Sequence, residues 1–346
     1  MTRIRIPDEI LTAAHDRARA RAERDWAEAD RLRDVIEAAG WKIVDRGTDF
    51  ALTPAAPPTV EEPDGRLRYG SSASVPSRLE EPPTGLATVV LLATDHPTDL
   101  ERALAGLRNH APAGTSVVIV GDDPSDEQAA ALVALEASGR APPTTTPDLP
   151  VDVVRTSERL GHGAATNIGI RRAGAPVIIL LDTSLEPTGD LVTPLVEALD
   201  DPTVAVAGGW GIVSEDLRHF EDAPAGDVDA IEGYCQAFRR TDAAERGPLD
   251  ERFRFYRNLD IWWSLVLRDG GEGEPSRRAV RLDDLPIRRH EHRGWTSLPD
   301  DERDRQSKRN FYRIIDRFGG RRDLLVAVGE VDAGAGTDAT SGNGTP

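Results

Sequence analysis

Carboxylates recur in this chain where short apolar runs stop. Thr94-Asp95-His96 follows ATVVLLA (87–93), Asp122 and Asp123 follow SVVIV (116–120) and Gly121, and Asp182-Thr183-Ser184 follows VIILL (177–181). Aspartates at such points accept hydrogen bonds from ribose hydroxyls and base N–H groups, while a divalent cation neutralises phosphates. Each also suits the N-cap of a following helix, so any one of them alone has a second, structural reading. Further on, Asp260 opens DIWWSLVLR (260–268), and His290 and His292 stand two apart in RRHEHR. A carboxylate within reach of a hydroxyl is a general base. A histidine pair spaced i, i+2 also fits a plain surface strand. There is no G-x-G-x-x-G after the first apolar run and no G-x-x-x-x-G-K-S/T anywhere, so dinucleotide hydride and P-loop chemistry lack support.

These residues need elements to bring them together. Runs 87–93, 116–120, 151–155 and 177–181 read as strands buried on both faces, and apolar positions such as Leu100, Leu104 and Leu107 recur at helical spacing between them. Strand–helix alternation of this kind implies a parallel, doubly wound α/β sheet, whose ligands lie outside the C-terminal strand ends. Residues 301–320 read as an amphipathic helix with Phe311, Ile314, Ile315 and Phe318 inward. Its arginine-rich outer face is solvated or rests against an anionic lipid surface.

Residues 1–53 read as a helical hairpin, broken near Arg19–Asp25, followed by a β-hairpin from WKIV (41–44) and FALT (50–53). Trp26, Ala29, Leu32, Val35, Ile36 and Ala39 make its expected apolar stripe. Residues 54–86, with PAAPP and EEPPTG, read as a Pro/Ser-rich flexible linker, and 329–346 as a disordered tail. A net charge of −18 argues against DNA and other broad polyanion partners. No apolar run of eighteen residues and no charged-then-apolar leader is present, so a cytoplasmic address is expected. Cys235 is the only cysteine, which excludes an internal disulfide.

Two resemblances follow from these residues. IPDEI (6–10), RARARAERDWAEADRLRD (17–34) and GWKIVDRGTDFAL (40–52) resemble the small C-terminal domain of cysteinyl-tRNA synthetases, which contacts the anticodon end of tRNA. Here basic and acidic residues balance over 1–50, so tRNA binding is not the favoured role; docking or self-association is. Residues 87–320 resemble a family 2 glycosyltransferase with the GT-A fold, close to its rhamnosyltransferase-like members. The matching segments are VVLLATDHPTDLERALAGL (89–107), VIVGDDPSDE (118–127), ERLGHGAATNIGIRRAGAPVIILLD (158–182), EGYCQAFRR (232–240), GPLDERFRFYRNLDIWWSLVLRDGG (247–271) and RRHEHRGWTS (288–297).

That second resemblance implies an inverting transfer of a hexose from a nucleoside diphosphate sugar to a hydroxyl acceptor, in surface polysaccharide or glycolipid assembly. It places Thr94, Asp95, Asp122 and Asp123 at the base and ribose. Asn167 and the Gly161-His162-Gly163 turn fall beside the donor, with the following helix N-terminus aimed into the cleft. Asp182 matches the first acid of the family's D-x-D, and Ser184 replaces the second. A hydroxyl is a poor substitute for a carboxylate around Mg2+ or Mn2+. Three explanations stay open: Glu186 or a histidine (His290 or His292) completes the shell around Asp182, tight metal is not needed, or activity is lost. In the last case the chain is a degenerate GT-A fold that binds nucleotide or sugar, or acts as a scaffold. Arg257-Asn258 stands where the family carries an acidic pair, leaving Asp260 as the expected base, with a helix N-cap as its other reading. Trp262 or Trp263 offers a sugar-stacking face.

Overall fold

The computed structural model describes residues 6–46, 49–93, 95–138, 149–271, 275–293 and 298–326. Thr94 and the expected tail over 329–346 lie outside these residues.

The N-terminal module has the expected order: α1 (Asp8–Ala22), α2 (Trp26–Ala38), β1 (Trp41–Arg46) and β2 (Asp49–Pro54), with β1 and β2 antiparallel. Asp25 caps α2 by accepting from the Glu28 N–H at 3.1 Å. Ile10, Ala14, Ile36, Trp41 and Ile43 form a small core of their own. The buried Arg17 pairs with Asp45 at 2.7 Å and ties α1 to the hairpin. Ala29, Leu32 and Ile36 are buried as the stripe requires, but Trp26 and Val35 are exposed. The contact face is narrower than the sequence spacing suggests.

Residues 54–86 are not a linker. β3 (Val60–Glu61) and β4 (Leu67–Tyr69) pair with each other, and β4 runs parallel to a strand of the main sheet. Val75 is buried in the main core. The Arg78 N–H donates to the Arg171 carbonyl at 2.7 Å, and Arg171 returns its guanidinium to the Val75 carbonyl. Proline and serine punctuate this segment because it turns repeatedly over the sheet edge, not because it is loose.

The parallel half follows the sequence runs closely. β5 (Ala87–Ala93), α3 (Pro97–His110), β6 (Thr115–Gly121), α4 (Asp126–Ser138), β7 (Val151–Thr156), α5 (His162–Arg172) and β8 (Val177–Leu181) alternate along the chain. Strands β4, β7, β6, β5 and β8 lie side by side and parallel. β9 (Leu185–Pro187) and α6 (Val192–Ala198) follow. The sheet then continues through β10 (Val204–Gly208), β13 (Gly226–Val228), β15 (Cys235–Arg239) and β16 (Arg278–Arg281), and β11 (Gly211–Val213), β12 (Glu221–Asp222) and β14 (Ala230–Ile231) make a small separate sheet. Among the described residues the main sheet has ten strands, ordered β13-β16-β10-β15-β8-β5-β6-β7-β4-β3.

Direction changes at β8, where β15 pairs antiparallel. Cys235 sits there, fully buried, with burial pushing its thiol up to about 12. Helix α7 (Arg240–Arg246) follows β15, then α8 (Leu259–Arg268), whose Trp262 and Trp263 are both buried. They are core residues, so neither is a sugar platform. β17 (Ile287–Arg289) pairs with β9, and α9 (Asp300–Phe318) packs Ile314 and Phe318 inward. The fold is the expected mixed α/β arrangement of GT-A type.

Candidate active site

A cavity of about 1320 Å³ opens beyond the C-terminal end of β8, where sheet direction changes. Asp182, Asp260, His290 and His292 all line it. Four of the expected site residues, taken from three chain segments, therefore meet in one space.

Asp182 stands at the end of β8, with its N–H on the Tyr234 carbonyl at 2.9 Å. Oδ1 accepts from the Ser184 N–H at 2.8 Å, and Oδ2 lies 3.3 Å from His292 Nε2. Burial is the largest influence on Asp182 and acts to raise its carboxyl; the bonds from His292 and Ser184 outweigh it and leave the group below its ordinary value. Burial likewise acts to lower His292, but its contacts with Asp182 prevail and raise it. The histidines arrive through the β9–β17 register: Arg289 pairs with Leu185, and the His290 N–H donates to the Ser184 carbonyl at 2.9 Å. His290 then pairs through Nε2 with Glu186 at 2.7 Å. The two histidines thus serve different carboxylates, and only His292 faces Asp182.

Elsewhere in the lining, Asn258 takes a left-handed backbone at φ 68° and starts α8, putting Asp260 in its first turn. Asp260 Oδ2 accepts from the Gly233 N–H at 2.8 Å, and Oδ1 from its neighbour Ile261 at 3.0 Å. A Cβ at position 233 would lie 3.2 Å from the Asp260 Cβ, so the close approach depends on glycine there. Beside Gly233, Glu232 also lines the cavity, a residue the sequence reading did not single out. Desolvation, then the Asp260 and Asp222 charges, push its carboxyl up to about 7, against Arg289 and Arg257. Its only sequence signal is an acid in IEGYC, next to an apolar strand.

The other expected donor contacts behave differently. Asp122 accepts from the Leu160 N–H at 2.7 Å, the Gly161 N–H at 2.8 Å and the Thr156 hydroxyl at 3.1 Å. Both oxygens are engaged in anchoring the turn before α5. Asp95 accepts from the Ser125 N–H at 2.7 Å, and Arg159 bridges it to the Asp123 carbonyl. Asp95 and Asp123 are exposed beside this turn and, like Asp122, do not line the cavity. Asn167 is a correction: it is buried, with its amide bonded to both the N–H and the carbonyl of Leu249 at 2.8 and 2.9 Å. It clasps α5 to the 249–251 loop, leaving nothing for a ligand.

The start of α5 is a correction as well. The His162 and Gly163 N–H groups donate to the Arg254 and Phe253 carbonyls at 3.1 and 2.9 Å, so they do not point into the cleft. What α5 does offer the cavity is the His162 side chain, which desolvation lowers to about 4, leaving a neutral imidazole at neutral pH.

The expected Mg2+ or Mn2+ can be weighed against these donors. Among the described residues, no group of three His, Cys, Asp or Glu is placed to hold a metal. Ser184 Oγ is buried without a partner and does not line the cavity. Asp182 and His292 remain: one carboxylate and one imidazole. That set fits a cation that arrives on phosphate oxygens, and does not fit a resident one.

Comparison with known proteins agrees with this fold. Over 72% of this chain and 71% of its own, a mannosyltransferase from Pyrobaculum calidifontis, solved with GDP-Man and Mn2+, superposes with a TM-score of 0.50 and 19% identity. GalNAc-T7, solved with UDP, GalNAc and Mn2+, gives 0.51 and 16% identity over 67% of this chain and 48% of its own. Cysteine–tRNA ligase 1 of Burkholderia lata is 48% identical over 40 residues, and the cysteine–tRNA ligase of Opitutus terrae 42% over 50. This chain spans only 8% and 11% of those two ligases, lengths that agree with the N-terminal module. Residues 88–257 match the sequence family described as Glycosyl transferase family 2. Asp182 and Glu232 fall inside that matched stretch and Asp260, His290 and His292 follow it, so residues 88–257 carry the pattern of a family 2 glycosyltransferase domain, on a fold of GT-A type.

Proposed function

We propose that the protein moves a hexose from a nucleoside diphosphate sugar to a hydroxyl acceptor, inverting the anomeric carbon. The observation that carries this reading is the cavity at the end of β8, whose lining brings the Glu232 and Asp260 carboxylates together with an Asp182–His292 pair. Its volume exceeds the roughly 300–1,000 Å³ of a single small-molecule site, which suits two substrates side by side. Inversion requires the acceptor oxygen to approach the face opposite the leaving diphosphate while a carboxylate takes its proton. The sequence reading gives that task to Asp260.

Charge for the departing diphosphate is at hand in Arg257, Arg289 and Lys308, all of which line the cavity. A divalent cation entering with the donor would be held by Asp182 and His292 and would neutralise phosphate charge. The neighbouring complexes with GDP-Man, UDP and Mn2+ support this choice of ligands. We place the acceptor in surface polysaccharide or glycolipid assembly on the cytoplasmic side, with the arginine-rich face of α9 resting against anionic lipid. Among the described residues no helix is long and apolar enough to cross a membrane.

Calorimetric titration with UDP-, GDP- and dTDP-sugars, with and without Mn2+, tests the reading. Saturable binding of at least one donor, with slow release of free sugar, is the expected result. Binding without any turnover would instead support a nucleotide-sugar-binding protein, which Ser184 and Arg257-Asn258 favour by replacing acidic positions. No binding at all removes both.

A further inference from the structure

Two carboxylates of the cavity lining, Glu232 and Asp260, meet at Gly233, and their surroundings are unequal. Asp260 has both oxygens committed to backbone N–H groups, those of Gly233 and Ile261. Glu232 makes no hydrogen bond or ion pair through its carboxylate among the described residues, and it lines the same cavity. Its main chain is fixed on both sides: the Glu232 N–H donates to the Trp210 carbonyl at 2.9 Å, and the next N–H is the one Asp260 holds. One carboxylate is therefore a bracket and the other is a free arm on that bracket.

We propose that Glu232, and not Asp260, takes the acceptor proton, while Asp260 is a positioning residue that fixes the Glu232–Gly233 segment. This rests on the glycosyl-transfer reading given above. As the acceptor oxygen bonds to the anomeric carbon, the bond from that carbon to the diphosphate oxygen breaks. The hydroxyl proton passes to a Glu232 oxygen, the nucleoside diphosphate leaves with the electron pair, and Glu232 later returns the proton to solvent. The charged groups around Glu232 come from separate elements: Asp260 on α8, Asp222 on β12, Arg289 on β17 and Arg257 just before α8. The acids and desolvation together hold its carboxyl near 7, where a base is half ionised at physiological pH and still strong enough to accept. Burial raises the Asp260 carboxyl as well, against the bonds from the Gly233 and Ile261 N–H groups, so what separates the two acids is that both Asp260 oxygens already accept a backbone N–H.

Hydrolysis of GDP-mannose, UDP-N-acetylgalactosamine and a dTDP-hexose by the full chain provides the assay, with donor affinity measured in parallel. Glu232→Gln is expected to lower the rate at least about 100-fold, within the range typical of general-base removal, while donor Kd stays within about threefold. Azide needs no deprotonation, so it should restore turnover to Glu232→Ala and yield the inverted glycosyl azide. Asp260→Asn is expected to keep measurable activity and to move the acidic limb of the pH–rate profile downward, because Glu232 loses a negative neighbour. The assignment is overturned if Glu232→Gln stays within about threefold of the parent rate, or if azide rescues Asp260→Ala and not Glu232→Ala. A parent protein that turns over none of these donors overturns the transfer reading itself.

Discussion

Crowding of Glu232 and Asp260 around Gly233 has a thermodynamic signature that needs no substrate. Folding raises the Glu232 carboxyl from its ordinary 4.5 to about 7. Between those values the native protein keeps a proton that the unfolded chain has already released. Native stability from this group is therefore highest below about pH 4.5, falls as pH rises through the window, and is flat above about 7. Glu232→Gln removes the effect, so its melting temperature relative to the parent should be higher at pH 8 than at pH 4.5. Thermal scans at the two pH values check this, and an identical offset at both would refute it. At this scale the sequence was a partial guide. Asp182, Asp260 and the histidines stand at ends of elements, so an ordered pattern locates them. Asn167 misled because its partner, Leu249, is 82 positions away, and a side chain's type does not reveal which distant amide it serves. Glu232 escaped because its importance comes from what its carboxylate lacks.

Among the elements, the strands of the parallel half were legible almost to the residue, since both faces are buried and the apolar runs are unbroken. β3 and β4 are only two and three residues long, too short for any periodicity, so composition was all that could be read. Truncation separates the two views of this segment. Removing residues 1–54 takes away a module with its own core and is expected to leave donor affinity and melting temperature of the remainder within a few degrees. Removing 1–86 strips β3 and β4 from β7 and empties the space of Val75, so melting should fall sharply or the product should not stay soluble. Equal melting of the two truncated proteins would restore the linker view. Helix α9 is a third case: its apolar face was readable, but its docking by Asn310 onto the Phe255 and Arg257 carbonyls, both at 2.9 Å, was not.

For the molecule as a whole, the cavity draws on both halves of the sheet and on the C-terminal helix, which contributes Asp304, Ser307, Lys308 and Phe311. Among the described residues no third carboxylate or imidazole joins Asp182 and His292 in a group placed to hold a cation, so metal and nucleotide should bind as a pair. Titration with Mn2+ alone is expected to give no measurable heat at millimolar concentration, and Mn2+ should tighten donor binding at least about tenfold. Tight Mn2+ binding to the free protein would contradict this. The lone sulfur in the middle of the sheet has a further consequence. Cys235 sits on β15, between β8 and β10, with no other thiol in the chain to compete with it, and its proton is held far above neutrality. An alkylating reagent can reach it only when the central strands part, so the pace of labelling becomes a clock for opening of the molecule's interior, blind to fraying at its edges.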